Sequence, residues 1–206
     1  MKAILAAVLA ATTATGLLTT TTLSAGASES EARLEVHGDG EANKGMPPWS
    51  ILAPKPDGWK IDCCDHAKAL RTNLVMYQGE WTGKPDRVMV LVVWPSESNS
   101  LESSLQADRE GYLKDNPAGK IEAFPVTNPN GMACQGVLYE GRKHNEDLDD
   151  AVVFCEPDNK ASGLQLSWAV TIAKNDPARE QVLTSFKHVV EGSAYAAYTT
   201  VLVAPK

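Results

Sequence analysis

The sequence predicts an α+β protein in which helices flank a central antiparallel β-sheet. Short apolar and β-branched segments recur along the chain between Gly, Pro and Asn turns, a pattern typical of strands. Two longer segments, one central and one near the end, carry apolar residues at helical spacing. Because several strands follow one another without a helix between them, the order favours an antiparallel sheet over a parallel one.

Residues 1–27 have the features of a cleavable secretory signal peptide. Lys2 precedes an apolar alanine- and leucine-rich run, and Ala25 and Ala27 fit the small-residue cleavage pattern, so we expect cleavage after Ala27. Threonines make this run too polar for a good transmembrane helix, and no later segment is apolar enough to span a bilayer. We therefore predict a bacterial protein that is periplasmic or secreted.

Composition divides the rest of the chain into three parts. Residues 28–48 are polar and rich in Gly and Glu, which predicts a flexible N-terminal arm with at most one short strand at 33–37. Residues 49–192 carry the apolar pattern and are predicted to form a single α+β domain. Residues 193–206 are apolar again, and we expect a C-terminal extension or an edge strand there.

Strands are predicted wherever a period of two or a continuous apolar run lies between turn signals. The run "RVMVLVVW" at 87–94 is β-branched and apolar on both faces, which predicts a central strand. Residues 163–173 alternate apolar and other side chains strictly, which predicts a strand with one buried face. Further strands are expected at 59–64, 73–81, 120–126, 132–141 and 150–157, with a polar hairpin loop at 142–149.

Two helices are predicted from capping residues and apolar stripes. Asn99 and Glu102 resemble a capping box before the first helix. Its apolar face would consist of Leu101, Leu105, Tyr112 and Leu113. Asp176 is the expected N-cap of the second helix, and Gly192 its expected C-cap. The buried stripe of that helix would consist of Val182, Leu183, Phe186, Val189 and Val190.

Several stretches in this order carry a family resemblance. They are "PDGW", "VMVLVVW", "SLESSLQADREGYL", "MACQGVLYEG" with its hairpin mate, "LQLSWAVTIA" and "AREQVLTSFKHVV". Together, over residues 49–192, they resemble the PsbP/DcrB-like family. The resemblance implies an α/β/α sandwich and a binding or assembly factor without shared catalytic residues. The four cysteines and the C-terminal extension depart from the family pattern.

The four cysteines of an exported chain favour two disulfides, with three possible pairings. If the hairpin is symmetric about residues 144–145, Cys134 faces Cys155, and a cross-strand bridge is geometrically simple. Cys63 and Cys64 would then pair with each other or remain thiols. In the competing arrangement, one of these two crosses the sheet to a cysteine of the hairpin.

The stretch Cys63-Cys64-Asp65-His66 is also a candidate small-ligand or metal site. Structural zinc sites usually space their cysteines by two to four residues, and neighbours in a strand point to opposite faces. No C-x-x-C motif indicates a redox centre. We therefore predict neither a metal nor another cofactor, and a ligand-binding or metal-binding periplasmic protein using residues 63–66 stays as the alternative function.

Candidate partner-binding residues lie in the hairpin loop and at strand ends. The loop carries His144, Asp147, Asp149 and Asp150, which predicts either a solvated tip or an acidic protrusion that steers a basic partner. Two tryptophans near strand ends, Trp81 and Trp94, are expected to line a binding surface.

Composition and motifs together favour a binding protein. The net charge of −7 argues against nucleic acid and anionic membranes as partners. The sequence contains no G-x-S-x-G, S-x-x-K or H-E-x-x-H motif. The leading hypothesis is an exported, non-enzymatic module of the bacterial envelope that binds a protein partner, with an inhibitor or immunity protein for a secreted toxin as one form. An enzyme with an unrecognised site is a third hypothesis.

Overall fold

The computed structural model describes residues 31–81, 87–96, 99–141, 147–157 and 162–197, so the predicted signal peptide lies outside the described residues. The predicted α+β class is confirmed. The elements are, in chain order, β1 Arg33–Gly38, β2 Trp49–Pro54, β3 Lys60–Asp62, α1 Asp65–Leu70, β4 Leu74–Gln78, β5 Arg87–Pro95, α2 Leu101–Asp115, β6 Lys120–Phe124, β7 Met132–Glu140, β8 Leu148–Pro157, β9 Leu164–Ala173, α3 Arg179–Gly192 and β10 Ala194–Ala197.

Seven strands form one antiparallel sheet in the order β3-β4-β5-β9-β8-β7-β6. The strand predicted to be central, β5, lies inside this sheet and pairs with β4 and β9. The β7–β8 hairpin has the register that loop symmetry predicted, with Cys134 directly opposite Cys155. The observed register of the hairpin therefore matches the one predicted from symmetry about residues 144–145.

A second, three-stranded sheet has the order β1-β2-β10. Strand β1 lies within residues 28–48, where we expected a flexible arm. Within that segment, Arg33–Gly38 pairs along its whole length with β2, close to the short strand allowed at 33–37, and Val36 is buried against the core. Within residues 193–206, β10 forms an edge strand of this sheet, which is one of the two predicted possibilities. Residues 198–206 lie outside the described part.

The two faces of the large sheet have different surroundings. Successive side chains of a strand point to opposite faces, so each strand contributes to both. One face carries the main core, where β5 and β9 pack against α3 and the small sheet. The predicted alternation in β9 is confirmed, since one side is fully buried; its members are Leu164, Leu166, Trp168, Val170 and Ile172. The opposite face carries α2, whose Leu101 and Leu105 pack on β7 and β8.

Helix α2 begins and packs differently from the prediction. Its N-cap is Ser100, whose Oγ accepts a hydrogen bond from the Ser103 amide at 3.1 Å, so the capping box at Asn99 is wrong. Leu113 is 40% exposed and does not belong to the buried face. Each helical residue turns by about 100°, so Leu113 points away from the side on which the preceding Tyr112 packs.

Helix α3 begins at Arg179, three residues after the predicted N-cap. The Asp176 carboxylate accepts the Ala178 amide at 2.8 Å, but both of its oxygens also accept hydrogen bonds from Arg87 at 2.7 Å. The C-cap is Ser193 and not Gly192. The predicted stripe is otherwise buried, with Leu183 partly so.

Candidate functional site

The middle of the large sheet has a face that the described helices leave only half covered. In β5, Val88, Val90 and Val92 are half-buried, whereas the residues between them are buried. In β9 the same alternation leaves Ser167, Ala169 and Thr171 half-buried. We call these six residues the valine face. One side of the central strand β5 is therefore partly open.

Register joins these residues into one strip. Val88, Val90 and Val92 lie directly opposite Thr171, Ala169 and Ser167, respectively. Four residue steps along a strand span about 14 Å, so the valine face is long enough to contact several side chains of another molecule. None of its six side chains carries a charge. A contiguous, partly exposed strip of uncharged surface is a candidate interaction site.

An aromatic cluster of His66, Tyr77 and Trp81 borders one end of the valine face. The His66 ring stacks on Trp81 with centroids 4.0 Å apart, and Tyr77 meets both rings edge-on at 5.9 and 5.2 Å. Tyr77 lies opposite Val88 in the β4–β5 register. The cluster therefore lies beside the first valine of the face.

Trp94 borders the other end. It continues the alternation of Val88, Val90 and Val92 along β5, and its ring meets that of Phe154 edge-on at 6.1 Å. A cavity of about 370 Å³ separates this pair from Asn99 and Ser103. Sequence reasoning selected Trp81 and Trp94 together because both lie near strand ends, and in the structure they border opposite ends of the valine face.

A second cavity of about 330 Å³ lies along α2. Its wall contains Tyr139, whose hydroxyl is hydrogen-bonded to Asp108, and Tyr112, whose hydroxyl donates to the Glu140 carbonyl at 2.5 Å. Burial raises the pKa of both phenols above the ordinary value. These hydroxyl groups therefore stay protonated near neutral pH and serve as hydrogen-bond donors.

The predicted acidic protrusion is wrong at Asp149. Strand β8 begins at Leu148, and Asp149 is buried, with its carboxylate 3.0 Å from Arg179 and accepting the Gly141 amide at 2.9 Å. Asp150 accepts a hydrogen bond from the Thr171 hydroxyl at 2.6 Å, which ties it to the valine face. Asp147 is exposed, and His144 lies outside the described residues.

The cysteines fall into two classes. Cys134 and Cys155 form a disulfide across the hairpin with Cα atoms 4.2 Å apart, so the competing pairing to the hairpin is absent. Cys63 and Cys64 are free and exposed, with their Sγ atoms 2.7 Å apart. They occupy the junction between β3 and α1, a helix that the sequence analysis missed.

Asp62 organises this junction. Its Oδ1 accepts hydrogen bonds from the amides of Cys64, His66 and Ala67 at 3.1, 2.8 and 3.0 Å. These bonds, the one from Ala67 foremost, lower the pKa of Asp62. They also end the predicted 59–64 strand at Asp62 and start α1, which brings His66 onto Trp81.

The surroundings of the thiol pair favour the protonated form of Cys64. The hydrogen bond with Cys63, followed by the charge of that residue, raises the pKa of the Cys64 thiol, which disfavours the thiolate. Over the described residues, no three His, Cys, Asp or Glu side chains are grouped so that they could hold a metal ion.

No family model and no curated protein matches the chain. The fold is similar to that of PsbP. The solution structure of cyanobacterial PsbP (CyanoP) from Synechocystis sp. PCC 6803 has a TM-score of 0.47 and 14% identity, and the match covers 85% of this chain and 98% of that one. The Ran-binding protein Mog1p of Saccharomyces cerevisiae has a TM-score of 0.46 and 14% identity, with 85% and 100% covered.

PsbP gives its name to the family that the sequence resembles. At such identities the two similarities describe the fold alone. Of the helices in the described ranges, none is long and apolar enough to cross a membrane.

Proposed function

We propose that this chain is an exported, non-enzymatic module of the bacterial envelope that binds another protein on the valine face. The observation that carries the proposal is the half-buried, uncharged strip of β5 and β9, with the aromatic cluster at one end and Trp94 at the other. An inhibitor or immunity protein for a secreted toxin is one form that such a module takes.

The aromatic border favours a protein partner. Trp and Tyr are enriched among the residues that dominate protein–protein binding energy. The stacked His66 and Trp81 rings are already held in place, which lowers the entropy cost of ordering them in a complex. Because the strip itself is uncharged, we expect apolar partner side chains against the valines.

Two further observations support the other parts of the proposal. The two phenols of the second cavity, Tyr112 and Tyr139, have pKa values raised away from the ionised form, and nucleophilic catalysis needs the opposite shift. Export is supported by the N-terminal sequence and by the Cys134–Cys155 bridge, since disulfides persist in oxidising compartments.

Site-specific photo-crosslinking tests the proposed face. A photoreactive residue is placed at Ala169, within the valine face, in the full chain expressed in the source cells. The matched control carries the same residue at Leu113, an exposed apolar position on α2. We expect a discrete protein product from position 169 that is not formed from position 113.

Charge insertion provides the second half of the test. Val90→Lys should abolish the product from position 169, whereas Leu113→Lys, which adds the same charge elsewhere, should preserve it. Circular dichroism checks that both variants are folded. Identical products from both positions, or a product that survives Val90→Lys in the folded protein, would contradict the proposed function.

The alternative of a ligand-binding or metal-binding protein at residues 63–66 has less support, because the His66 ring is stacked on Trp81 and only two free thiols stand beside it. Zinc titration of the reduced chain tests it. Tight binding that disappears in Cys63→Ser would favour the alternative.

A further inference from the structure

The Sγ atoms of Cys63 and Cys64 lie almost close enough for a disulfide bond, although both thiols are free. Their Sγ atoms are 2.7 Å apart and both residues are exposed. A disulfide bond is about 2.05 Å long, so a small movement would close it. The other pair differs, because Cys155 is fully buried in the core and already bonded to Cys134.

A bridge between adjacent residues is strained by its connectivity. A trans peptide holds neighbouring Cα atoms about 3.8 Å apart, whereas disulfides usually join Cα atoms about 4.4–6.8 Å apart. Strained and exposed disulfides are the readily reduced ones, and unstrained buried ones persist. The position of Cys63 and Cys64 therefore suits reversible bonding better than a permanent link.

We propose that Cys63 and Cys64 form a thiol–disulfide exchange site that reacts with small-molecule disulfides of the glutathione type and closes reversibly to a vicinal disulfide. One cysteine, as thiolate, attacks the small disulfide, forms a mixed disulfide and releases one small thiolate, which takes up a proton. The second cysteine, deprotonated, attacks the protein sulfur of that mixed disulfide and releases the second small thiol. Two protein thiols are oxidised by two electrons, and one small disulfide is reduced to two thiols.

Closing the disulfide between Cys63 and Cys64 affects the aromatic cluster through the hydrogen bonds that Asp62 accepts. The ring contains the peptide between Cys63 and Cys64, and the Cys64 amide is one of the three donors to Asp62 Oδ1. The neighbouring donor, His66, carries the ring that stacks on Trp81. Twisting the Cys63–Cys64 peptide therefore shifts the first turn of α1 and the border of the valine face. The effect on docking rests on the proposed function, but the exchange reaction does not.

Mass spectrometry tests the exchange. The full chain, with Cys134–Cys155 intact and Cys63 and Cys64 reduced, is incubated with excess oxidised glutathione under native conditions, treated with an alkylating reagent and measured intact. We expect a product that has lost two hydrogens, carries no glutathione and resists alkylation, with peptide mapping placing the new bond between Cys63 and Cys64. Dithiothreitol should restore two alkylatable thiols.

Single substitutions supply the matched control. Cys63→Ser and Cys64→Ser should each accumulate a stable mixed disulfide with glutathione, because the second thiol is missing. A wild-type chain that retains a stable glutathione adduct, or whose two thiols stay fully alkylatable, would overturn the proposal. Since no partner is involved, this outcome is independent of the crosslinking result at Ala169.

Tryptophan fluorescence tests the link to the cluster. Oxidation should change the emission of the wild-type chain, and the change should be absent in Trp81→Phe and in Cys63→Ser. If the vicinal disulfide forms without any change in emission, the coupling between the thiol pair and the valine face is refuted.

Discussion

Replacing Asp149 by alanine should destabilise the fold far more than replacing its neighbours in the hairpin. The Asp149 side chain is 3% exposed and lies 3.0 Å from an Arg179 nitrogen, at the first residue of α3. It also accepts the Gly141 amide at the end of β7. The substitution leaves both groups without this partner, and the Arg179 Nη1 atom is already buried with no hydrogen-bond partner among the described residues.

The size of the effect follows from burial. Removing one partner of a buried ion pair costs about 3–5 kcal/mol. The Arg179 side chain is 22% exposed and keeps some contact with water, so we expect a loss near the lower limit of that range. In a domain of this size, each kcal/mol lowers Tm by about 2–4 °C. Urea denaturation of the purified chain, with thermal melting as a second measurement, gives both quantities.

Two comparisons make this prediction specific. Asp147→Ala, at an exposed position, should cost less than about 1 kcal/mol, as surface charges do. In a double-mutant cycle, Asp149→Ala should cost much less when Arg179 is already methionine, because the two residues share one interaction. A loss below about 1 kcal/mol for Asp149→Ala would refute the reasoning and restore the interpretation of the loop as a solvated tip.

Three further predictions concern stability. Replacing both Cys134 and Cys155 by alanine should cost about 3 kcal/mol by the loop-entropy relation, since the bridge closes a loop with a sequence separation of 21; urea denaturation would measure it, and an unchanged midpoint would refute it. Hydrogen bonds from Arg87 lower the pKa of the Asp176 carboxyl, so its contribution is present above the unfolded value of about 3.9 and is lost as pH falls through the lowered folded value. Asp176→Asn should therefore be less stable than wild type at pH 6 and equal to it at the acid end of a pH series of melts, and a constant difference would contradict this. Gly111→Ala should stabilise α2 by about 0.5–1 kcal/mol, because an added Cβ meets open space there; a lower Tm would show that the position is constrained.

Sequence patterns correctly predicted the elements that depend on interactions between residues close together in the sequence. The period of two in β9 and the symmetry of the β7–β8 hairpin both follow from neighbouring residues, and both are confirmed. Helix α1 was missed because six residues are too few for apolar periodicity to show, and isolated short helices are unstable without tertiary contacts. What starts it is one side chain, Asp62, that accepts three amides.

Errors at Asp149 and Asp176 have a different origin. Each carboxylate was interpreted from its surroundings in the sequence, as a loop charge and as a helix cap. In the structure each pairs with an arginine that is distant in sequence, Arg179 and Arg87 respectively, and the Arg87 contact spans 89 positions. Composition cannot predict such pairs, because they depend on where separate elements meet.

The valine face was beyond sequence reasoning for a related reason. The run of valines in β5 shows that both sides of the strand are apolar, but not which neighbours cover each side. Helix α1 packs on β3 and β4 and helix α2 on β7 and β8, which leaves the strip between them half-covered. The valines and tryptophans were visible in the sequence, and their common face was not.

The small sheet links the two ends of the described chain, because β2 pairs with β1 on one edge and with β10 on the other. Leu52, for example, is paired with Ala194. A chain that emerges N-terminus first, whether from a ribosome or from a secretion channel, cannot complete this sheet until residues 194–197 have emerged. Long-range pairings of this kind form slowly because a large loop must close first. The architecture thus delays completion of the small sheet until β10 is available to pair with β2.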